Sequence, residues 1–294
     1  MINRRQWISG AAASACWMQV SRVEAAGGFA GLPAAFARIE SERGGRLGVA
    51  VLDTGTGRRA GYRQNERFPI GSTFKLLAAA AVMARADAGL DSMDRRIHYT
   101  RADLVTYSPE TEKHAGGEGM TQAALCEAAI TLSDNTAGNL LLNALGGPQG
   151  FTSYLRSLGD GVTRLDRMET ALNEARPGDP RDTTSPAAML GDLQAMTVGA
   201  ALSAPAKVAL QGWLRHNKTG DARLRAGLPS GWQAGEKTGS SENGTSNDVG
   251  LLWPPNSSAA VLVAAYLTQG AADGKVRDAA LADVAASVTS AWSG

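Results

Sequence analysis

Cysteine is nearly absent: Cys16 and Cys126 are the only two in 294 residues. Cys16 falls in an N-terminal segment that reads as a removable leader, so one thiol remains. That excludes an internal disulfide and leaves stability to core burial, which a chain of this length can supply. Histidine is nearly as scarce. His98, His114 and His216 are scattered without ligand spacing, which argues against a metal-dependent hydrolase. Neither sign of charge dominates, with 29 basic and 28 acidic residues, so no nucleic-acid footprint is visible. After the first twenty residues no apolar run is long enough to span a membrane. A Gly-x-Ser-x-Gly motif is missing, which argues against a Ser-His-Asp hydrolase. Aromatics make up 5% against 44% hydrophobic residues, the mark of an Ala- and Leu-rich globular core. No internal repeat or low-complexity tract is visible.

Residues 1–26 read as an export signal. Arg4-Arg5, followed by Gln6, Trp7 and Ile8, resembles a twin-arginine leader; an ordinary secretory leader is the alternative. An Ala-rich segment follows, and Val23-Glu24-Ala25-Ala26 offers small residues for cleavage. Its removal takes away three arginines and one glutamate and leaves the remainder near neutral. The expected location is exported and periplasmic, without stable membrane association after cleavage.

A helix is predicted over Gly31 to Arg43. The strand Arg46–Asp53, the turn Thr54-Gly55-Thr56-Gly57 and a return strand over Arg58–Tyr62 follow as a hairpin. From there to about His216 the signals are mostly helical, with breaks at Gly116-Gly117 and Gly146-Gly147-Pro148. Arg164 to Thr184 has little periodicity and reads as a long ordered loop, a kind of segment that is usually functional. Strands return at Ala234–Thr238, Asn247–Trp253 and Ala259–Thr268, and a helix closes the chain from about Val276 to Trp292. Strands therefore bracket a helical middle. The fold class is α/β: one domain from both chain ends (27–68 and 217–294), with an all-α domain inserted (69–216). Sites favour such domain interfaces.

From Thr73 to Met83 every residue but Lys75 is apolar or a lone Thr, the pattern of a buried helix. Ser72 stands at its edge, three residues from Lys75, so the two share a face. Burial makes the amine a candidate base and Ser72 a candidate nucleophile. The competing reading is a capping Ser and a Lys that snorkels to the surface. Ser133-Asp134-Asn135 follows an apolar helix from Met120 to Leu132; alone it is a common capping sequence. Lys-Thr-Gly occurs twice. Lys218-Thr219-Gly220 follows a helix end and reads as a cap. Lys237-Thr238-Gly239 opens a strand before a turn at Glu242-Asn243-Gly244, and Gly239 allows a ligand or backbone to come close. In the long loop, one helical turn would put Glu169 and Asn173 on one face, able to hold and deprotonate a water; a solvated turn is the alternative. Arg167 and Asp182, near the two ends of the loop, are placed to pair.

Ser72-Thr73-Phe74-Lys75, Ser133-Asp134-Asn135, Glu169-x-x-x-Asn173 and Lys237-Thr238-Gly239 stand in the order and spacing of the class A serine β-lactamases. The chain resembles that family from about Phe29 to Gly294. Tyr107-Ser108-Pro109, Arg164-Leu165-Asp166-Arg167 and Arg181-Asp182-Thr183-Thr184-Ser185-Pro186 agree with it. The resemblance implies an antiparallel five-stranded sheet with flanking terminal helices, beside the inserted helices. It implies hydrolysis of penicillins and cephalosporins through an acyl-enzyme on Ser72, without cofactor or metal, by a monomer that also meets the family's inhibitors. Lys75, or Glu169 through a water, would take the proton of Ser72. Ser133 would protonate the departing nitrogen, and Lys237 would add positive potential. The backbone N–H groups of Ser72 and Ser240 would form the oxyanion hole. Glu169 and Asn173 would prime the deacylating water. Thr238 and Ser240 would bind the substrate carboxylate beside Gly239 and Ser241, Asn135 the amide side chain, and Tyr107 would wall the cleft. Arg223 is the preferred carboxylate-binding arginine, with Arg277 the alternative. A penicillin-binding D,D-peptidase, or a receptor that acylates and stalls, would share the serine and lysines but lack Glu169.

Three departures from the family's usual pattern stand out. Ala79 stands where a cysteine often pairs with the position of Cys126, so Cys126 is expected to be a buried small hydrophobe. Gly71 and Ser241 occupy positions where efficient carbapenem-hydrolysing members often carry cysteine and its partner. Thr170 follows Glu169 where proline is frequent.

Overall fold

The computed structural model describes residues 28–292; the leader expected over 1–26 lies outside them. Five strands form one antiparallel sheet: β1 Arg46–Asp53, β2 Arg59–Tyr62, β3 Gln233–Ser241, β4 Thr245–Trp253 and β5 Val261–Thr268. Their order is β2-β1-β5-β4-β3. The two chain ends meet where β1 pairs along its whole length with β5, from Arg46 opposite Thr268 to Asp53 opposite Val261.

Alternate side chains of the sheet feed two cores, as the two-residue period of a strand requires. Leu47, Val49, Val51, Val261, Val263 and Ala265 face the terminal helices α1 (Leu32–Arg43) and, at the end of the chain, Gly274–Trp292. Ala50, Leu52, Leu262, Ala264 and Tyr266 face the helical body. That body comprises α2 (Phe74–Asp87), α3 (Gln122–Thr131), α4 (Asn135–Ala144), α5 (Gly147–Ser157), α6 (Pro186–Thr197) and α7 (Ala204–Arg215); the closing helix is α8. The Ala-rich α2 is buried from Phe74 to Met83 and touches each of α3 to α7. Helices α6 and α7 lie against the sheet, on β1 and β5 and on β3 respectively. Among the described residues no helix is long and apolar enough to cross a membrane.

Element ends differ from expectation where side-chain polarity hides them. Met120 and Thr121 pair with Arg96 and Ile97 as a short ladder, and α3 starts after them because the Thr121 hydroxyl accepts from Ala124 N. Strands β3 and β4 run on through Ser240, Ser241, Thr245 and Ser246. These residues carry no hydrophobic alternation, but the ladder continues to the tight turn at Asn243 and Gly244, both at positive φ.

Candidate active site

Gly71–Thr73 forms a single 3₁₀ turn that runs straight into α2. Ser72 is therefore not the helix cap of the competing reading. Thr73 precedes the helix, already in helical conformation, and makes no side-chain cap bond. The Ser72 hydroxyl instead accepts from Lys75 Nζ at 2.9 Å and lies 3.3 Å from Glu169 Oε1. The amine also donates to Ser133 O at 3.0 Å and Asn135 Oδ1 at 2.6 Å, and it stands 2.8 Å from Glu169 Oε1. Both side chains of the Lys75–Glu169 pair are completely buried, so Lys75 does not snorkel. Burial pulls its pKa below the ordinary lysine range, and the Glu169 carboxylate opposes that pull. The amine fits only because Gly138 of α4 faces it: a Cβ there would sit 2.8 Å from Lys75 Cε.

Glu169 is held by Asn139 of α4 and by Asn173 of its own loop. The Asn139 side chain of α4 accepts from Glu169 N at 2.8 Å and donates to Glu169 O at 3.0 Å. The Glu169–Thr170 peptide is cis. A short 3₁₀ turn, Ala171–Glu174, brings Asn173 Nδ2 to Glu169 Oε2 at 2.6 Å, and Asn173 Oδ1 accepts from Ser241 Oγ at 3.0 Å. The loop is pinned where its ends meet. Asp182 is buried, takes Arg167 Nε at 2.6 Å, and accepts from the backbone N–H groups of Asp166 and Arg167. Arg167 also reaches Glu174.

Asp134 does cap α4, accepting from Ala137 N at 2.9 Å, and it also ties Glu110 and Thr111 through their N–H groups. Its neighbours face the site. Ser133, at positive φ, accepts from Lys237 Nζ at 3.0 Å. Lys237 has no exposure and also donates to Thr238 O; burial first, and then the charge of Lys75, pull its pKa well below the lysine range. Both ends of the Asn135 amide are engaged, Oδ1 by Lys75 and Nδ2 by Thr106 O at 2.8 Å.

A cleft of about 310 Å³ opens over these groups. Of the residues singled out from sequence, Ser72, Tyr107, Ser133, Asn135, Asn173, Arg223, Thr238 and Ser240 line it. Lys75, Glu169 and Lys237 stand behind that lining. Gly239 and Ser241 are not part of it: Gly239 is packed against the Ile70–Thr73 turn, and Ser241 is turned to Asn173. Thr219, from the Lys-Thr-Gly set read as a cap, is a cleft residue after all. Asn217 holds its hydroxyl and N–H, and the hydroxyl meets Thr238 Oγ1 at 2.5 Å. Arg223 donates to Ser240 Oγ at 2.7 Å and is braced by Asp278 at 2.8 Å. Arg277 is spent elsewhere, on Ser246 Oγ and the carbonyls of Ala271 and Ala272.

A family model described as "Beta-lactamase enzyme family" matches residues 32–292. The solved class A β-lactamase of the reconstructed last common ancestor of Gram-negative bacteria is 60% identical. It superimposes with a TM-score of 0.86 over 89% of this chain and 99% of that one. The chain belongs to the class A serine β-lactamases. Two further relatives agree. β-Lactamase AST-1 of Nocardia asteroides is 50% identical over 84% of this chain and 79% of its own length. β-Lactamase L2 of Stenotrophomonas maltophilia is 47% identical over 85% and 82%. In this class A enzyme Cys126 and Ala79 are both buried in the central core, and burial raises the thiol's pKa. Gly71 and Ser241 do face each other: a Cβ on Gly71 would stand 2.9 Å from Ser241 Oγ. Gly138 and Asn139, which position Lys75 and Glu169, escaped the sequence reading. A Gly-Asn pair inside a helix, two poor helix formers in succession, was the signal available.

Proposed function

We propose that this chain opens the β-lactam amide of penicillins and cephalosporins by way of an ester on Ser72, and so confers resistance to these antibiotics. The observation that carries this reading is Glu169 Oε1 lying within reach of both Lys75 Nζ and Ser72 Oγ. A neutral Lys75, 2.9 Å away, takes the Ser72 proton directly; a charged one leaves it for Glu169. At 3.3 Å that path is long for an O–H···O bond, so it must shorten or run through one water. Ser72 Oγ attacks the carbonyl carbon, the C–N bond breaks, and the departing nitrogen takes the Ser133 proton. Lys237, bonded to Ser133 Oγ, supports that transfer. The oxyanion is held by the N–H groups of Ser72 and Ser240. The proton taken from Ser72 is handed on by way of Lys75 to Ser133, which restores the base and Ser133 together; Glu169, oriented by Asn173, then removes a proton from water. The resulting hydroxide displaces Ser72 Oγ, which recovers its proton.

Thr238, Ser240 and Arg223, with Thr219 beside them, are suited to the substrate carboxylate; Asn135 and Tyr107 flank the opposite side. Gly71 cannot form the cysteine link of efficient carbapenem-hydrolysing relatives, so carbapenems are poor substrates in this reading. The protein acts as a monomer in the periplasm after loss of a twin-arginine-type leader. Its cleft separates a sheet unit (27–68 and 217–294) from a helical unit (69–216). Steady-state hydrolysis of a chromogenic cephalosporin tests the proposal: many turnovers per enzyme are expected, and a single stoichiometric burst would overturn it in favour of a stalled acceptor.

A further inference from the structure

Asn247 has no part in the chemistry above. It stands on β4 opposite Gly239 and is fully buried. Its Nδ2 donates to Pro69 O at 2.9 Å and to Ile70 O at 3.2 Å. Those carbonyls lead directly into Gly71–Thr73, so one sheet side chain grips the turn that carries Ser72. The grip depends on Gly239. A Cβ there would stand 3.2 Å from Asn247 Nδ2, 3.2 Å from Thr73 Cγ2 and 3.3 Å from Ile70 O. The same crossing brings the nucleophile's turn beside β3, where a Cβ built on Gly71 would lie 3.6 Å from Ser240 N. Two carbonyl acceptors fix which way the amide points, and its own oxygen is left buried without a partner. The backbone of Asn247 is held as well: Arg223 Nη1 donates to Asn247 O at 2.8 Å and to Gly239 O at 2.7 Å.

We propose that Asn247 is a positioning residue for the oxyanion hole. By tying the Pro69 and Ile70 carbonyls to β4, it sets the spacing between the Ser72 and Ser240 N–H groups, which belong to distant parts of the chain. The proposal rests on the assignment of those two donors given above. A hole of this kind works only when both donors reach the developing oxyanion together. Thr73 Oγ1 makes a second tie, to Tyr266 OH on β5 at 3.0 Å, so cutting the Asn247 tie loosens the geometry of the turn without releasing it from the sheet.

The test compares Asn247→Ala and Asn247→Asp with the parent. In a Glu169→Ala background, benzylpenicillin loads the serine and infrared difference spectra record the ester carbonyl. Asn247→Ala shifts that band to higher wavenumber, and in the otherwise native enzyme it lowers kcat/KM about ten- to a hundredfold. Asn247→Asp regains activity as the pH falls, because only a protonated carboxyl can donate to Ile70 O; Asn247→Ala shows no such rise. Asn247→Ser replaces Asn247→Ala should the latter not fold. An unshifted band together with unchanged kcat/KM, even with a lowered melting temperature, overturns this proposal alone. Failure of Glu169→Ala by itself to form any ester overturns the assignment of Ser72, and this proposal with it.

Discussion

Replacing Gly138 by alanine should damage catalysis out of proportion to stability. Within a helix, Ala is favoured over Gly by about 1 kcal/mol, so α4 itself gains. The new methyl would nevertheless stand 2.8 Å from Lys75 Cε and 3.3 Å from Lys75 Cγ and Phe74 Cζ. Carbon atoms rest at about 3.5 Å or more, so Cε must retreat by roughly 0.7 Å. A free lysine would absorb that by rotating, but this amine is held by Ser72, Ser133, Asn135 and Glu169. The displacement therefore passes to the nucleophile. Misplacement by about 1 Å costs on the order of a hundredfold in rate, so kcat/KM for a chromogenic cephalosporin should fall about ten- to a hundredfold. Overpacking costs about 1–3 kcal/mol; set against the helix gain, the melting temperature should drop by no more than about 8 °C. Initial rates and thermal unfolding on the same preparation measure both. A folded Gly138→Ala enzyme within twofold of the parent would refute the idea that Lys75 is held rigidly.

Glu169→Ala should still acylate but fail to deacylate, leaving a penicilloyl adduct visible by mass spectrometry; an intact protein without adduct would contradict the role of Ser72. Asp182→Ala leaves Arg167 without its principal partner, an effect of about 3 kcal/mol for a largely buried pair, and urea unfolding should show it. Asp192 is buried, and burial, followed by the charge and hydrogen bond of Asp160, pushes its carboxyl up to about 9. The folded protein keeps that proton where the unfolded chain releases it near pH 4, so native stability is lost as pH rises between the two values. Asp192→Asn should therefore gain in relative melting temperature from pH 5 to 9, and a pH-independent difference would count against the shifted carboxyl. Thr219→Val removes the hydroxyl beside Thr238 and should raise KM several-fold with little change in kcat; an unchanged KM would exclude Thr219 from substrate binding.

What the sequence made legible was local. Ser72 and Lys75 lie one helical turn apart in an apolar run, and Glu169 and Asn173 share one short turn, so spacing alone suggested that each pair meets. The bracketing of helices by strands likewise pointed to one sheet formed from both ends of the chain, and the motif order carried the family. What stayed hidden acts across long separations. Asn139 grips a residue 30 positions away, and Asn247 reaches back 177 positions to Ile70; neither leaves a local pattern. Thr219 was set aside because a Lys-Thr-Gly at a helix end looks like punctuation, and only the fold brings it against Thr238. The polar ends of β3 and β4 were missed for a related reason: their pairing is maintained by the backbone ladder, not by alternating apolar side chains.

Cys126 is the only thiol among the described residues, and its burial has a consequence for folding. Cys126 is enclosed by α2, α3 and their neighbours, so it can reach no other sulfur while the native packing persists. Reductants therefore have no covalent crosslink to sever at this position. Packing of the described residues around Cys126 thus does not depend on whether the medium is oxidising or reducing.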